Sequence, residues 1–146
     1  MKIKKSNISN FFIEVIIVIL FFSIASVIIV KIFATSSYNN DINNVRTKAI
    51  INANSLIEVY KDNSLEKCIK TVINGYKIEN DVDYKNENII FKINKDMKYD
   101  KNGDINLSIA EKVETTKAGE IKTISLKYIY KNTEIYVIEG KKYEEK

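Results

Sequence analysis

The side chains able to do chemistry are few in this chain and widely spaced. Its 146 residues include no histidine and one cysteine, Cys68. The commonest general base and metal ligand are therefore missing, and neither an internal disulfide nor a multi-cysteine metal centre is available. Carboxylates, lysines, hydroxyls and one thiol remain. Asp100, Asn102 and Asp104 gather oxygen ligands around Gly103 and invite a calcium reading. An EF-hand loop, however, needs ligands at alternate positions, glycine sixth and glutamate twelfth. Here glycine comes fourth, and Val113, Glu114 and Thr115 lie too far on to restore the register. A β-turn between strands is the expected reading. Cys68 shares a spacing with Leu65, Ile69 and Val72 and reads as a small buried hydrophobe. The nine tyrosines cluster toward the C-terminal half, where alternating tyrosine is ordinary strand chemistry. With four glycines the chain shows no phosphate-cradling loop and no nucleophile elbow, and it assembles no carboxylate pair of the kind a hydrolase needs. No enzymatic activity, cofactor or metal is expected.

One acid stands apart. Residues 11–30 read FFIEVIIVILFFSIASVIIV, twenty residues with Glu14 as the single charge, and Lys31 follows. At about 1.5 Å of rise per residue, such a helix covers the roughly 30 Å of a bilayer core. A helix apolar on every side is also hard for a small soluble domain to bury. Lys2, Lys4 and Lys5 precede it, which places the N-terminus in the cytoplasm and the rest of the chain outside. A cleavable secretory signal shares the basic start, and Ala34 and Ser36 are spaced like its cleavage site, but its apolar core runs only about 7–15 residues. A carboxylate inside hydrocarbon is costly, so Glu14 is either functional or an interfacial acid reaching back to the headgroups.

The charge balance follows the same division. Four cations (Lys2, Lys4, Lys5 and Lys31) and Glu14 lie within the first 33 residues, leaving 19 basic and 18 acidic groups in the remainder. The net charge of +4 is thus largely a property of the N-terminus, and no specific nucleic-acid site is visible in the rest.

In this N-terminal segment the chain resembles the type IV pilins and type II secretion pseudopilins. Their signature is a short basic leader followed by a Phe-Thr-Leu-Ile-Glu-like run that opens a long apolar helix. Here MKIKKSNIS precedes NFFIEVIIVILFFSIASVIIVKIF, and Ile13-Glu14-Val15 matches the core of the motif. The resemblance implies cleavage by a prepilin peptidase between Ser9 and Asn10, with methylation of the new N-terminus, so that Glu14 becomes the fifth residue. It also implies that Glu14 neutralises the terminal amine of a neighbouring subunit during assembly. Ser9 stands where the family carries glycine, and Asn10 where phenylalanine or methionine is usual. A cut before Phe11 would make Glu14 fourth. The implied partners are other pilin-like subunits, the peptidase, a pilus assembly platform with its motor, and the membrane. The implied role is a structural subunit, more simply a minor one, serving secretion, DNA uptake, adhesion or motility. The alternative is a single-pass anchored extracytoplasmic binding or sensing domain that never enters a filament.

The elements expected to carry these residues form an α+β fold. A basic leader, residues 1–9, and a transmembrane helix, 10–33, precede an extracytoplasmic domain, 34–146. Ile42, Val45, Ala49, Ala53, Leu56 and Tyr60 recur at helical steps and predict an amphipathic helix over 41–61, with polar residues 35–40 as a weak point before it. Asp62-Asn63-Ser64 offers an N-cap for a short helix over 64–74, closed by Asn74-Gly75. Period-two patterns at Ile89-Phe91-Ile93, Ile105-Leu107-Ile109, Ile124-Leu126-Tyr128-Tyr130 and residues 135–138 predict about four antiparallel strands between roughly 88 and 140. Ala118-Gly119 and Asn132-Thr133 supply tight connections, and KKYEEK reads as a solvated tail. The long helix would pack its second half on this sheet, the plan of a pilin-like subunit.

Overall fold

Helix α1, Lys5–Asp62, carries both the apolar run and the amphipathic stripe without interruption. Residues 35–40, expected as a weak point, are helical throughout. The computed structural model describes residues 5–72 and 88–145, with side chains over 10–70 and 88–145. The expected stop at Asn74-Gly75 and the leader lysines Lys2 and Lys4 lie outside the described residues. The chain divides into two compact units, Met1–Asp41 and Ile42–Lys146.

In the first unit every large apolar side chain from Phe11 to Phe33 is exposed, up to 76% for Phe33. The Ser23 and Ser26 hydroxyls donate to the carbonyls of Ile19 and Phe22, each at 2.8 Å. That i−4 bonding satisfies both hydroxyls within the helix, as a segment placed in hydrocarbon requires. This is one helix long and apolar enough to cross a membrane.

In the second unit the rest of α1 packs on one face of a four-stranded antiparallel sheet. The strands are β1 Ile89–Ile93, β2 Ile105–Thr115, β3 Gly119–Tyr130 and β4 Thr133–Glu145, in spatial order β1-β2-β3-β4. The architecture is the expected α+β, with a meander in which each strand pairs with its neighbour in sequence. Val45, Ala49, Ala53, Leu56 and Tyr60 are buried from the helix side. Ile105, Leu107, Ile109, Ile124, Leu126, Tyr128 and Tyr130 meet them from the sheet. Burying such side chains is worth roughly 1.5–3 kcal/mol each, which is why the stripe and the alternation decide the fold. The small residues Ala49 and Ala53 sit where the helix faces the sheet. Gly140 of β4 admits the Ile57 side chain, whose Cγ2 would lie 2.9 Å from an added Cβ.

Helix α2, Leu65–Val72, is capped by Ser64, whose Oγ accepts from the Lys67 N–H at 3.4 Å and whose carbonyl accepts from the Cys68 N–H. Two connections differ in detail from expectation. The β3–β4 turn is made by Lys131-Asn132, both at positive φ, one residue earlier than Asn132-Thr133. The two-residue loop needs left-handed backbone at both positions, and asparagine tolerates it readily. The second difference is larger. Residues 141–145 are not a solvated tail but the second half of β4, paired with β3 through Gly119↔Glu145. The period-two pattern continues through them, with Lys142 turned to the helix side and Lys141 and Tyr143 to the other.

Candidate functional site

Two places hold the side chains that matter, one in each unit. In the first, Asn10, Glu14 and Val18 follow one another at i, i+4 spacing along α1, with Ile13 and Ile17 beside them. Glu14 is exposed and has no hydrogen-bond or ion-pair partner among the described residues. It stands one turn inside an otherwise uncharged surface. Placed in hydrocarbon, such a carboxylate is costly unless it is neutralised, reaches the headgroups or meets a cation. Asn10 lies in the same helix on the same side, and Ser9 is also helical.

The second place was not visible as a site in the sequence. A polar cleft of about 460 Å³ opens where the end of α1 meets the ends of β2, β3 and β4, lined by Asn63, Ser64, Glu111, Lys122, Lys142 and Glu144 among others. Tyr60, fully buried, donates its hydroxyl to Glu111 Oε1 at 2.5 Å. Burial, then that hydrogen bond and the negative charges of Glu111 and Glu144, push the Tyr60 phenol far above its ordinary range. Lys142 keeps only 10% of its side chain exposed, with Nζ 4.5 Å from the centroid of the Tyr60 ring. Its ammonium donates to the Asn63 carbonyl at 2.8 Å and pairs with Glu144 at 3.0 Å. Lys122 pairs with Glu144 at 2.5 Å. These contacts raise the Lys122 ammonium, chiefly through its hydrogen bond to Glu144, and lower the Glu144 carboxyl through Lys122 first and Lys142 second.

Chemically the arrangement is a clasp. The tyrosine is held protonated and its proton is engaged. The Lys142 ammonium lies over an aromatic face and against the Asn63 carbonyl just past the end of α1. No apolar alternation marks residues 141–145, so the sequence carries no signal for this cluster.

The other residues singled out by type fall into structural roles. Cys68 is buried, with Sγ donating to the Leu56 carbonyl at 3.0 Å, and burial pushes its thiol up to about 11. Asp100 accepts from the Asn102 N–H at 2.9 Å through its carboxylate, and its carbonyl accepts from the Gly103 N–H, which makes the expected turn. Among the described residues no group of three or more acidic or cysteine side chains is placed to hold a metal ion. Tyr128 is buried with its hydroxyl donating to Asn52 Oδ1 at 2.7 Å, while Tyr143 is half exposed. No family model, no curated protein and no solved structure matches this chain.

Proposed function

We propose that the chain is a membrane-anchored structural subunit of a type IV pilus or of a type II secretion or competence-like pseudopilus, most simply a minor one. One observation carries the reading: α1 joins a fully exposed apolar helix bearing a single acid to a stripe that packs on an antiparallel sheet. An exposed face of this length calls for lipid or for other apolar helices. In this reading the basic residues Lys2, Lys4 and Lys5 keep the N-terminus cytoplasmic, and the Ile42–Lys146 unit lies outside. A prepilin peptidase cuts between Ser9 and Asn10. Extraction from the membrane by the assembly platform then bundles the apolar helices of many subunits.

Glu14 sets the register of that bundle. Its carboxylate has no partner on its own helix among the described residues, and the α-amine of a neighbouring subunit supplies the cation that makes its burial tolerable. The work of the chain is packing, with no reaction of its own. Glu14→Gln tests this directly. The variant is expected to fractionate with membranes as the parent does, yet to disappear from sheared filament fractions and from cross-linked subunit ladders. A variant that still enters both would overturn the register role of Glu14, and a parent chain absent from both would overturn the filament reading and leave an anchored binding or sensing domain.

A further inference from the structure

The longest open edge of the sheet is β4, and its outward pattern is complementary to itself. In the β2–β3 turn the Gly119 carbonyl points to the Thr116 N–H at 2.7 Å, so the odd-numbered residues of β3 direct their backbone groups to β2. The even ones then bond to β4, through Tyr128↔Tyr136, Leu126↔Ile138, Ile124↔Gly140 and Lys122↔Lys142. Along β4 the N–H and C=O groups of Val137, Glu139, Lys141 and Tyr143 therefore face away from the sheet. No described strand lies beyond β4. Near the start of the edge Arg46 Nε donates to the Ile135 carbonyl at 2.8 Å, and a register shift at Tyr128/Ile129 marks the bulge there. From Val137 onward the edge is regular, and no described strand pairs with it. Sheets commonly protect so long an edge, because it templates pairing with another strand.

We propose that β4 pairs antiparallel with β4 of a second copy of this chain, with Gly140 opposite Gly140 at a two-fold axis. In that register Glu139 meets Lys141 of the second copy, and Val137 meets Tyr143, each pair occurring twice. Every outward backbone group from Val137 to Tyr143 finds its partner. The side chains at these positions share the face away from α1, where Val137 is 46% and Tyr143 51% exposed. Glu139 is steadied there by the Ser125 hydroxyl at 3.0 Å, and no ion pair holds Lys141 among the described residues. A shift of two residues either way puts Glu139 opposite Glu139 or Lys141 opposite Lys141, so the charges select one register. The contact is isologous and closes at two copies. Within the Ile42–Lys146 unit α1 runs in the direction of β4, since Arg46 reaches Ile135, Ile57 lies against Gly140 and Asn63 meets Lys142. The two Ile42 ends therefore lie at opposite ends of the pair. This inference does not depend on the filament reading.

The test is sedimentation velocity of the full chain in detergent micelles, which leave that orientation free, over a range of concentrations. The parent is expected to associate to dimers. Glu139→Lys and Lys141→Glu should each weaken association about tenfold, because symmetry turns two attractive pairs repulsive at once. The double variant, and an equimolar mixture of the two single variants, should restore it. Val137→Lys, at a half-exposed site, should weaken it by a different route. A parent that stays monomeric, association indifferent to the single reversals (the outcome if the apolar helix alone drives it), or a mixture that fails to recover would each overturn the proposal.

Discussion

The Lys142 ammonium lies 4.5 Å from the centroid of the Tyr60 ring, joining the end of α1 to the second half of β4. The contact couples a residue of the helical stripe to one in the last six positions of the chain. It holds the ammonium between the face of an aromatic ring, the Asn63 carbonyl and Glu144. Lys142→Met keeps most of the packing volume and removes the charge. It is expected to destabilise the Ile42–Lys146 unit by about 2–5 kcal/mol, the sum of a part-buried cation–π contact and a charged hydrogen bond. Lys101→Met, on an exposed turn, should be within about 0.5 kcal/mol of the parent. Denaturant titration followed by far-ultraviolet dichroism reads both.

The same cluster sets an acid limit. Lys122 and Lys142 hold the Glu144 carboxyl below its usual value, so its contribution is present above the unfolded value of about 4.3 and is lost as pH falls through the folded one. Asp96 beside Lys48 and Glu114 beside Lys112 have the same sign. Stability should therefore fall with pH below that value, and Glu144→Gln should flatten the fall. Thermal melts from pH 6 to pH 3 measure the difference in slope. An unchanged slope would separate Glu144 from the acid response.

Tyr128 and Asn52 form a buried pair at 2.7 Å between β3 and α1. Asn52→Ala strands a buried hydroxyl and is expected to cost about 1–3 kcal/mol. Tyr128→Phe in the same background removes that stranded group, so the double variant should cost less than the two single changes added together. A double-mutant cycle gives the coupling.

At Gly140 the approach of Ile57 leaves no room for a β-branched side chain. Gly140→Val forces the helix and sheet apart and is expected to cost about 1–3 kcal/mol through overpacking. Gly140→Val with Ile57→Ala should recover part of that loss in the same denaturant assay.

Much of this molecule follows from period alone. The steps of three and four from Ile42 to Tyr60 pick out the buried helix face, and Ile105-Leu107-Ile109 and Ile124-Leu126-Tyr128-Tyr130 pick out the buried sheet face, because each pattern can bury its apolar side only one way. Cys68 and the Asp100 turn were legible for similar local reasons. Lys141 to Glu145 were not, since a strand made of charges carries no apolar alternation and reads as a tail until Tyr60 and Asn63 are seen beneath Lys142. The turn at Lys131-Asn132 was missed by one residue because a lysine at positive φ has no marker in composition. Glu14 was legible from the start, as one acid within twenty apolar residues. In the proposed function its partner is the amine of another chain, which the sequence of one chain does not display.

In the proposed function α1 is trimmed at its N-terminus before it enters the bundle, and the mass of the N-terminal peptide reads that trimming. The chain extracted from membranes and digested is predicted to lack residues 1–9 and to begin at a methylated Asn10, with Glu14 fifth. An intact Met1 on every molecule would contradict the account.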